Sequence, residues 1–259
     1  MSEEYLEFVT NIKRKLGIDL TLYKEAQMKR RLTSLRNKRG YPSFNHYFSE
    51  IISNDILLKE FLDRITINVS EFYRNPKRWE VLKNAILPEL VNKREKLFIW
   101  SAACSAGEEP YSIALLIKHH LPNAEFQVLA TDIDENVLEK AKLGVYTEQS
   151  LKELPEILKH KYFTYGQGLY HLSNEIKRHV RFRKHNLLAD KYPKAVDLIL
   201  CRNVLIYFTD QAKDRIYHHF SKSLRHNGVL FVGSTEQIFS PNKYNLSLAD
   251  TFFYKKDIV

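Results

Sequence analysis

LFIWSAACSAGEEPYSIALLI, residues 97–117, is the stretch whose reading decides the fold. An apolar run enters a cluster of small residues (Ser101, Ala102, Ala103, Ser105, Ala106, Gly107), then the acidic pair Glu108 and Glu109, then Pro110. Proline in a first helical turn costs little, because the N–H it lacks has no intrahelical partner. The stretch therefore reads as strand, tight turn and helix. Small side chains at such a turn let a ligand lie against backbone at the carboxyl edge of a sheet, where doubly wound folds bind ligands. Alone, the segment is also compatible with an ordinary strand-to-helix turn.

Outward from it, short β-rich runs alternate with helical stretches. The strands are expected at Leu97–Ser101, Gln127–Thr131, Val180–Lys184, Asp197–Cys201, Val229–Gly233 and Phe252–Lys255, and the helices at Tyr111–Leu121, Asn136–Leu143 and Gln211–Leu224. Alternation of this kind predicts a mostly parallel sheet with helices on both faces. Residues 145–180 interrupt it and are expected to form a small excursion. Upstream, apolar spacing near 3.6 predicts helices over Tyr5–Leu16, Tyr23–Arg39, Phe44–Ser53 and Asp55–Thr66, with Gly17 and Gly40 at the stops. The expected division is a helical unit over 1–70, a linker and lead-in helix over 71–96, and an α/β unit over 97–259.

Three further segments add chemistry. LATDIDENVLEKA (129–141) ends a strand in Asp132, placed to accept both hydroxyls of an adenosyl ribose, while Asp134 reads as a helix N-cap. DLILCRNVLIYF (197–208) carries Arg202, Asn203 and Val204 to the same edge, with Tyr207 just beyond. A polar Arg-Asn pair directly after a buried strand is costly without partners. Asn186 and Leu187 follow the third strand, where an adenine ring could be edged and covered, although Asn186 taken singly is more often a loop cap. ITINVSEFYRNPKRW (65–79) sets Asn68, Ser70 and Arg74 among apolar neighbours. The first turn is neither G-x-G-x-x-G nor a P-loop, so a ligand without pyrophosphate is indicated. S-adenosylmethionine (SAM) fits, since its ammonium and sulfonium charges favour a carboxylate such as Glu109.

The net charge is +9, and residues 11–41 hold ten Lys or Arg against Asp19 and Glu25. A basic concentration of this kind points to an acidic partner. Two cysteines, Cys104 and Cys201, each follow an apolar run and read as free buried thiols, hence a cytoplasmic setting. The amino terminus lacks a signal-peptide layout, and no apolar run is long enough to span a bilayer. No clustered His/Cys set suggests a metal. An adenine-amine nucleic-acid methyltransferase would carry Asn/Asp-Pro-Pro-aromatic where this chain has Arg-Asn-Val, and a cytosine carbon-5 enzyme typically has proline before its cysteine where Leu200 stands, so nucleic acid is not the expected partner.

Taken together, INVSEFYR, WSAACSAGEEPYS, ATDIDENVL, HNLL, CRNVLIYF and LFVGSTE resemble the CheR-type chemotaxis receptor methyltransferases over residues 15–254. The resemblance implies an α/β fold: a Rossmann-like class I SAM-dependent methyltransferase domain with a small antiparallel β insert, preceded by an all-α domain. It implies methyl transfer from SAM to glutamate carboxylates of chemoreceptors. Its cofactor contacts fall on Asn68, Ser70, Arg74, Glu109, Asp132, Asn186, Leu187, Asn203 and Val204, with Arg74 and Tyr207 bordering the transfer point. Arg31 matches a substrate-recognition position, and Lys24 and Lys38 lie seven residues to either side, on one helical face. Two departures stand out. Ala106 replaces the usual Thr, and the insert segment YGQGLYHLSNEIK (165–177) lacks a later glycine. Docking on the receptor's helical bundle, without a tail pentapeptide, is therefore expected.

Overall fold

The computed structural model describes residues 3–66 and 70–257. Four helices open the chain: α1 (Glu3–Leu16), α2 (Glu25–Lys38), α3 (Phe44–Ser53) and α4 (Asp55–Thr66). Gly17 ends α1 in the left-handed region (φ 69°), and Ser43 caps α3 by accepting from the His46 N–H. Their apolar faces meet around Phe8, which packs on Phe44, Tyr47 and Phe61. Helix α2 starts two residues later than its periodicity predicts. Tyr23 is drawn instead into an antiparallel bridge with Phe208, and Lys24 becomes the cap.

A helical rod leads into the sheet: α5 (Pro76–Val81), one wide π turn (Leu82–Ile86) and α6 (Leu87–Asn92). The wide turn has a local cause. Pro88 has no N–H and would crowd the carbonyl of residue 84, which lies within the widened stretch.

Strands β1 (Lys96–Ala102), β2 (Glu125–Asp132), β6 (Val180–Lys184), β7 (Val196–Cys201), β8 (Leu224–Val232), β9 (Leu246–Asp250) and β10 (Phe253–Lys256) form one sheet in the order β6-β2-β1-β7-β8-β10-β9. The first five are parallel, and β10 runs antiparallel to both neighbours. β9 escapes prediction because it is a short edge strand in which only Leu246 is buried, and the final strand starts at Phe253 because Phe252 turns at φ 72°. Gly233 falls just outside β8, which extends back to Leu224.

Register fixes the site. Ala102 pairs with Thr131, Asp132 with Lys184 and Cys201 with Val232, so the loops after β1, β2, β6 and β7 emerge along one edge. On one face of the sheet lie the rod, α7 (Glu108–His120) and α8 (Glu135–Leu143). On the other lies α11 (Asp210–Ser223), and there Phe8, Leu32 and Phe61 of the opening helices share a single core with Trp100, Ile199 and Phe220. The expected excursion is a second sheet, β3 (Val145–Tyr146), β4 (Phe163–Gly166) and β5 (Leu169–Leu172) in the order β3-β5-β4, with short helices α9 (Glu156–Tyr162) and α10 (Asn174–Lys177). It is seated by Phe72, whose ring meets Tyr146 and Phe163 edge-on.

Gly107 caps α7 at φ 95°, and a Cβ there would sit 2.9 Å from the Ala141 Cβ. Strain and overpacking together predict that Gly107→Ala lowers unfolding free energy by about 1–3 kcal/mol. Urea denaturation measures it, and an unchanged midpoint would contradict the crowding.

Candidate functional site

The strand-end loops and the segment entering the rod surround one cavity. It has about 940 Å³ of free space counting its open mouth, within the range of small-molecule sites. Ser70, Arg74, Glu109, Asp132, Asn186, Leu187, Asn203, Val204 and Tyr207 all line it. Asn68 lies outside the described residues. Arg202, expected at this edge as half of the polar pair after β7, also faces the cavity, as do Tyr23 and His185, which the sequence does not single out.

Backbone strain concentrates here. Ala103 (φ 60°), Ser105 (51°) and Asn203 (61°) are left-handed, as are Tyr73 (53°) and Asn75 (62°) on either side of Arg74. Non-glycine residues in this region cost of order 1–3 kcal/mol each, and their clustering marks a site that needs its backbone in one shape.

Asp132 ends β2 with its carboxylate accepting from the Ser105 N–H (2.9 Å) and the Asp134 N–H (3.1 Å). The β1 turn is thereby pinned to the end of β2, and the Cys104 N–H adds a bond to the Thr131 carbonyl. Burial pushes Asp132 up to about 6, opposed by those backbone donors. Asp134 is the N-cap of α8, accepting from the Asn136 N–H as its sequence position suggests. Ala106 does not line the cavity; its carbonyl takes the Tyr146 hydroxyl at 2.9 Å.

Glu109 stands in the first turn of α7, where the helix dipole favours an anion. Its carboxylate accepts from the Ser101 hydroxyl at 2.8 Å and faces the Arg202 guanidinium at 3.7 Å. Burial raises its pKa and Arg202 counters. Arg202 itself donates to the Arg74 carbonyl at 2.6 Å and lies over the rings of Trp79 and Phe231. Asn186 turns its side chain into its own loop, accepting from the Leu188 N–H, and its amide also reaches the Gly17 carbonyl.

The basic face divides. Arg31 is half-buried with its guanidinium 5.9 Å from the centre of the Tyr207 ring. Arg64 of α4 donates to the Arg31 carbonyl at 3.4 Å, adding a second cation that the sequence does not single out. Lys24 meets the site through backbone alone, its N–H donating to the Tyr207 carbonyl at 2.9 Å. Lys38 is exposed at the far end of α2, about 20 Å away along the axis.

This geometry suits a small cationic ligand bearing a sugar diol: two buried carboxylates face one cavity. The Ser105 hydroxyl and His185 Nδ1, on lining residues, have no hydrogen-bond partner among the described residues. Residues 68–253 match the family described as CheR methyltransferase, SAM binding domain, and residues 3–66 match its all-alpha domain. The chain belongs to the CheR methyltransferase family. It is 44% identical over 257 residues to a chemotaxis protein methyltransferase of Listeria monocytogenes, covering 99% of this chain and 98% of that protein. The corresponding protein of Borreliella burgdorferi is 36% identical (98% and 94% covered), and that of Escherichia coli 34% (87% and 81%). As a CheR protein, the chain is a SAM-dependent methyltransferase of chemotaxis. Among the described residues no helix is long and apolar enough to cross a membrane, and no His/Cys/Asp/Glu group is arranged to hold a metal.

Asp132 gives the cofactor site a pH dependence. An acid with a raised folded-state pKa holds its proton more tightly folded than unfolded, so its contribution to ligand-free stability is greatest in acid and is lost as pH rises through about 6. Ribose binding needs the opposite, ionised form. The rise in Tm produced by S-adenosylhomocysteine should therefore shrink between about pH 7.5 and about pH 5. Glu108, pushed by burial up to about 7, titrates nearby, so Asp132→Asn is the control: a weak shift with little pH dependence. A constant shift in the parent protein would exclude Asp132 from binding.

Proposed function

We propose that this enzyme esterifies glutamate side chains in the cytoplasmic helical bundle of chemoreceptors, with Arg74 and Tyr207 shaping the transfer point. The observation that carries the reading is the meeting of Arg74, from the lead-in segment, and Tyr207, from beyond β7, around the cavity that holds Asp132 and Glu109. SAM supplies an electrophilic sulfonium methyl, which a glutamate oxygen attacks in line to leave S-adenosylhomocysteine. Glutamate, with a pKa of about 4.3, is already ionised at neutral pH, so no general base is required. The side chains orient and partly desolvate it, an effect worth on the order of 7–11 kcal/mol in well-aligned systems.

In this reading Glu109 faces the cationic end of the cofactor and Asp132 its ribose. Asn186 and Leu187 border the adenine, and Ser70, Asn203 and Val204 complete the enclosure, with Asn68 assigned to the same role by family resemblance. Arg74 receives the substrate carboxylate as a two-pronged donor. Residues 1–70 form the recognition unit, 71–96 the linker and 97–259 the catalytic unit. Arg31, supported by Arg64, meets the receptor's glutamate row, and Lys24 and Lys38 extend the electrostatic approach. The β4–β5 hairpin closes through Gln167 and Gly168, both at positive φ, a tight two-residue turn consistent with docking on the bundle without a tail pentapeptide.

Incubation with methyl-labelled SAM and receptor membranes tests the reaction. Base-labile label on receptor glutamates is expected, and Arg74→Ala should remove most of it; label on RNA, or near-normal turnover in the variant, would defeat the assignment. Arg31→Glu should weaken receptor methylation by about tenfold or more while S-adenosylhomocysteine affinity changes by less than about twofold. Equal loss of both would place Arg31 in the fold rather than in recognition.

A further inference from the structure

Glu236 lies 33 residues beyond Asn203 and is buried, with 5% of its surface exposed. It accepts four backbone N–H groups: Asn203 (2.6 Å), Leu205 (2.6 Å), Ile206 (3.3 Å) and Gly233 (2.9 Å). Three of these donors belong to the loop that carries Asn203 and Val204 and leads into Tyr207. Converging backbone N–H groups form an anion nest, and here a side chain of the same chain fills it. Burial raises the carboxyl's pKa and the four donors oppose the rise.

The fit is close. A Cβ on Gly233 would fall 2.4 Å from Glu236 Oε2 and 2.9 Å from the Asn203 nitrogen, so the glycine leaves the space through which carboxylate and loop meet. Asn203, at φ 61°, is held in a conformation that costs an asparagine free energy, and the 2.6 Å bond to its N–H is the contact that offsets it. Glutamine has the same shape but a single acceptor oxygen, and its NH₂ would face N–H donors.

We propose that Glu236 is a positioning residue for methyl transfer: its carboxylate sets the 203–207 loop so that Asn203 and Tyr207 face the cofactor cavity. The inference rests on the roles given above to Asn203 and Tyr207, and it adds the element that orders them. Two substitutions break the same contact from opposite sides. Glu236→Gln removes charge and acceptors, whereas Gly233→Ala keeps the carboxylate but displaces it.

S-adenosylhomocysteine binding by calorimetry and methyl transfer to receptor membranes would be measured on the full chain for each variant and for the double variant. Each single change should lower kcat by about tenfold to a hundredfold and weaken cofactor-product binding, with the receptor KM within about twofold of the parent. The double variant should be no worse than the poorer single one, because one interaction is lost only once. Parent-like kcat in Glu236→Gln, or losses that multiply in the double variant, would overturn the proposal. Should Glu236→Gln not fold, Gly233→Ala decides alone, since unchanged turnover and affinity there also overturn it. Asn203→Ala and Tyr207→Phe separate the two levels. If both retain full activity, the underlying site reading fails; if both are impaired while Glu236→Gln is not, only the clamp fails.

Discussion

The buried guanidinium of Arg202 joins three stretches of chain at the edge of the cavity. It donates to the main-chain carbonyl of Arg74, faces Glu109 in the first turn of α7, and lies against Trp79 and Phe231 from the rod and the sheet. A charge this deep is tolerated because each of its neighbours supplies something arginine uses: a carbonyl, a carboxylate or an aromatic face. Without it, Glu109 would lose the guanidinium that faces it, and the carbonyl of Arg74 would lose a donor beside that of the Trp79 indole. Together with the Tyr73 N–H, which donates to the Ser112 hydroxyl of α7 at 3.0 Å, this side chain fastens the segment carrying Arg74 to the strand edge, and the cavity depends on that connection.

The remaining electrostatics follow one scheme. Buried carboxylates at the site are met by backbone N–H groups or by Arg202, and burial raises the pKa of Asp132, Glu109 and Glu236. Anions held under such stress gain when a cation arrives, so a cavity lined by Asp132 and Glu109 favours a positively charged methyl donor over its neutral product. The same contrast gives a physical reason for product to leave. Near Tyr207 the sign reverses: the Arg31 guanidinium stands by its ring and Arg64 lies beside Arg31, which suits the acidic side chain that the proposed reaction brings there.

Much of this was legible in the residues, for reasons that can be named. β7 is buried along its whole length and is uninterruptedly apolar from Leu198 to Cys201, so its position and the polar break after it are plain. Asp132 and Asp134 sit at a strand end and a helix start, where their neighbours declare their uses. What escaped depends on contacts between distant segments. Tyr23 reads as helix until Phe208 is found beside it, and β9 exists as a strand only because β10 pairs with it. Arg64 looks like any charged helix position until its guanidinium reaches the Arg31 carbonyl. Glu236 belongs to a recognisable motif, but spacing cannot reveal that it reaches loop amides about thirty residues upstream.

The backbone ladder between the opening helices and the loop after β7 has a consequence for how this enzyme can diversify. Lys24 donates to the carbonyl of Tyr207, Thr209 donates to that of Leu22, and Tyr23 pairs with Phe208, so the approach to α2 and the loop bearing Tyr207 form one small piece of sheet. On the proposed reading, in which α2 faces the receptor and Tyr207 borders the transfer point, a lineage that must read a different receptor cannot re-tilt α2 without displacing Tyr207. Its freedom lies in exchanging outward side chains on a fixed helix, which leaves chemistry untouched while the vocabulary of recognised sites drifts.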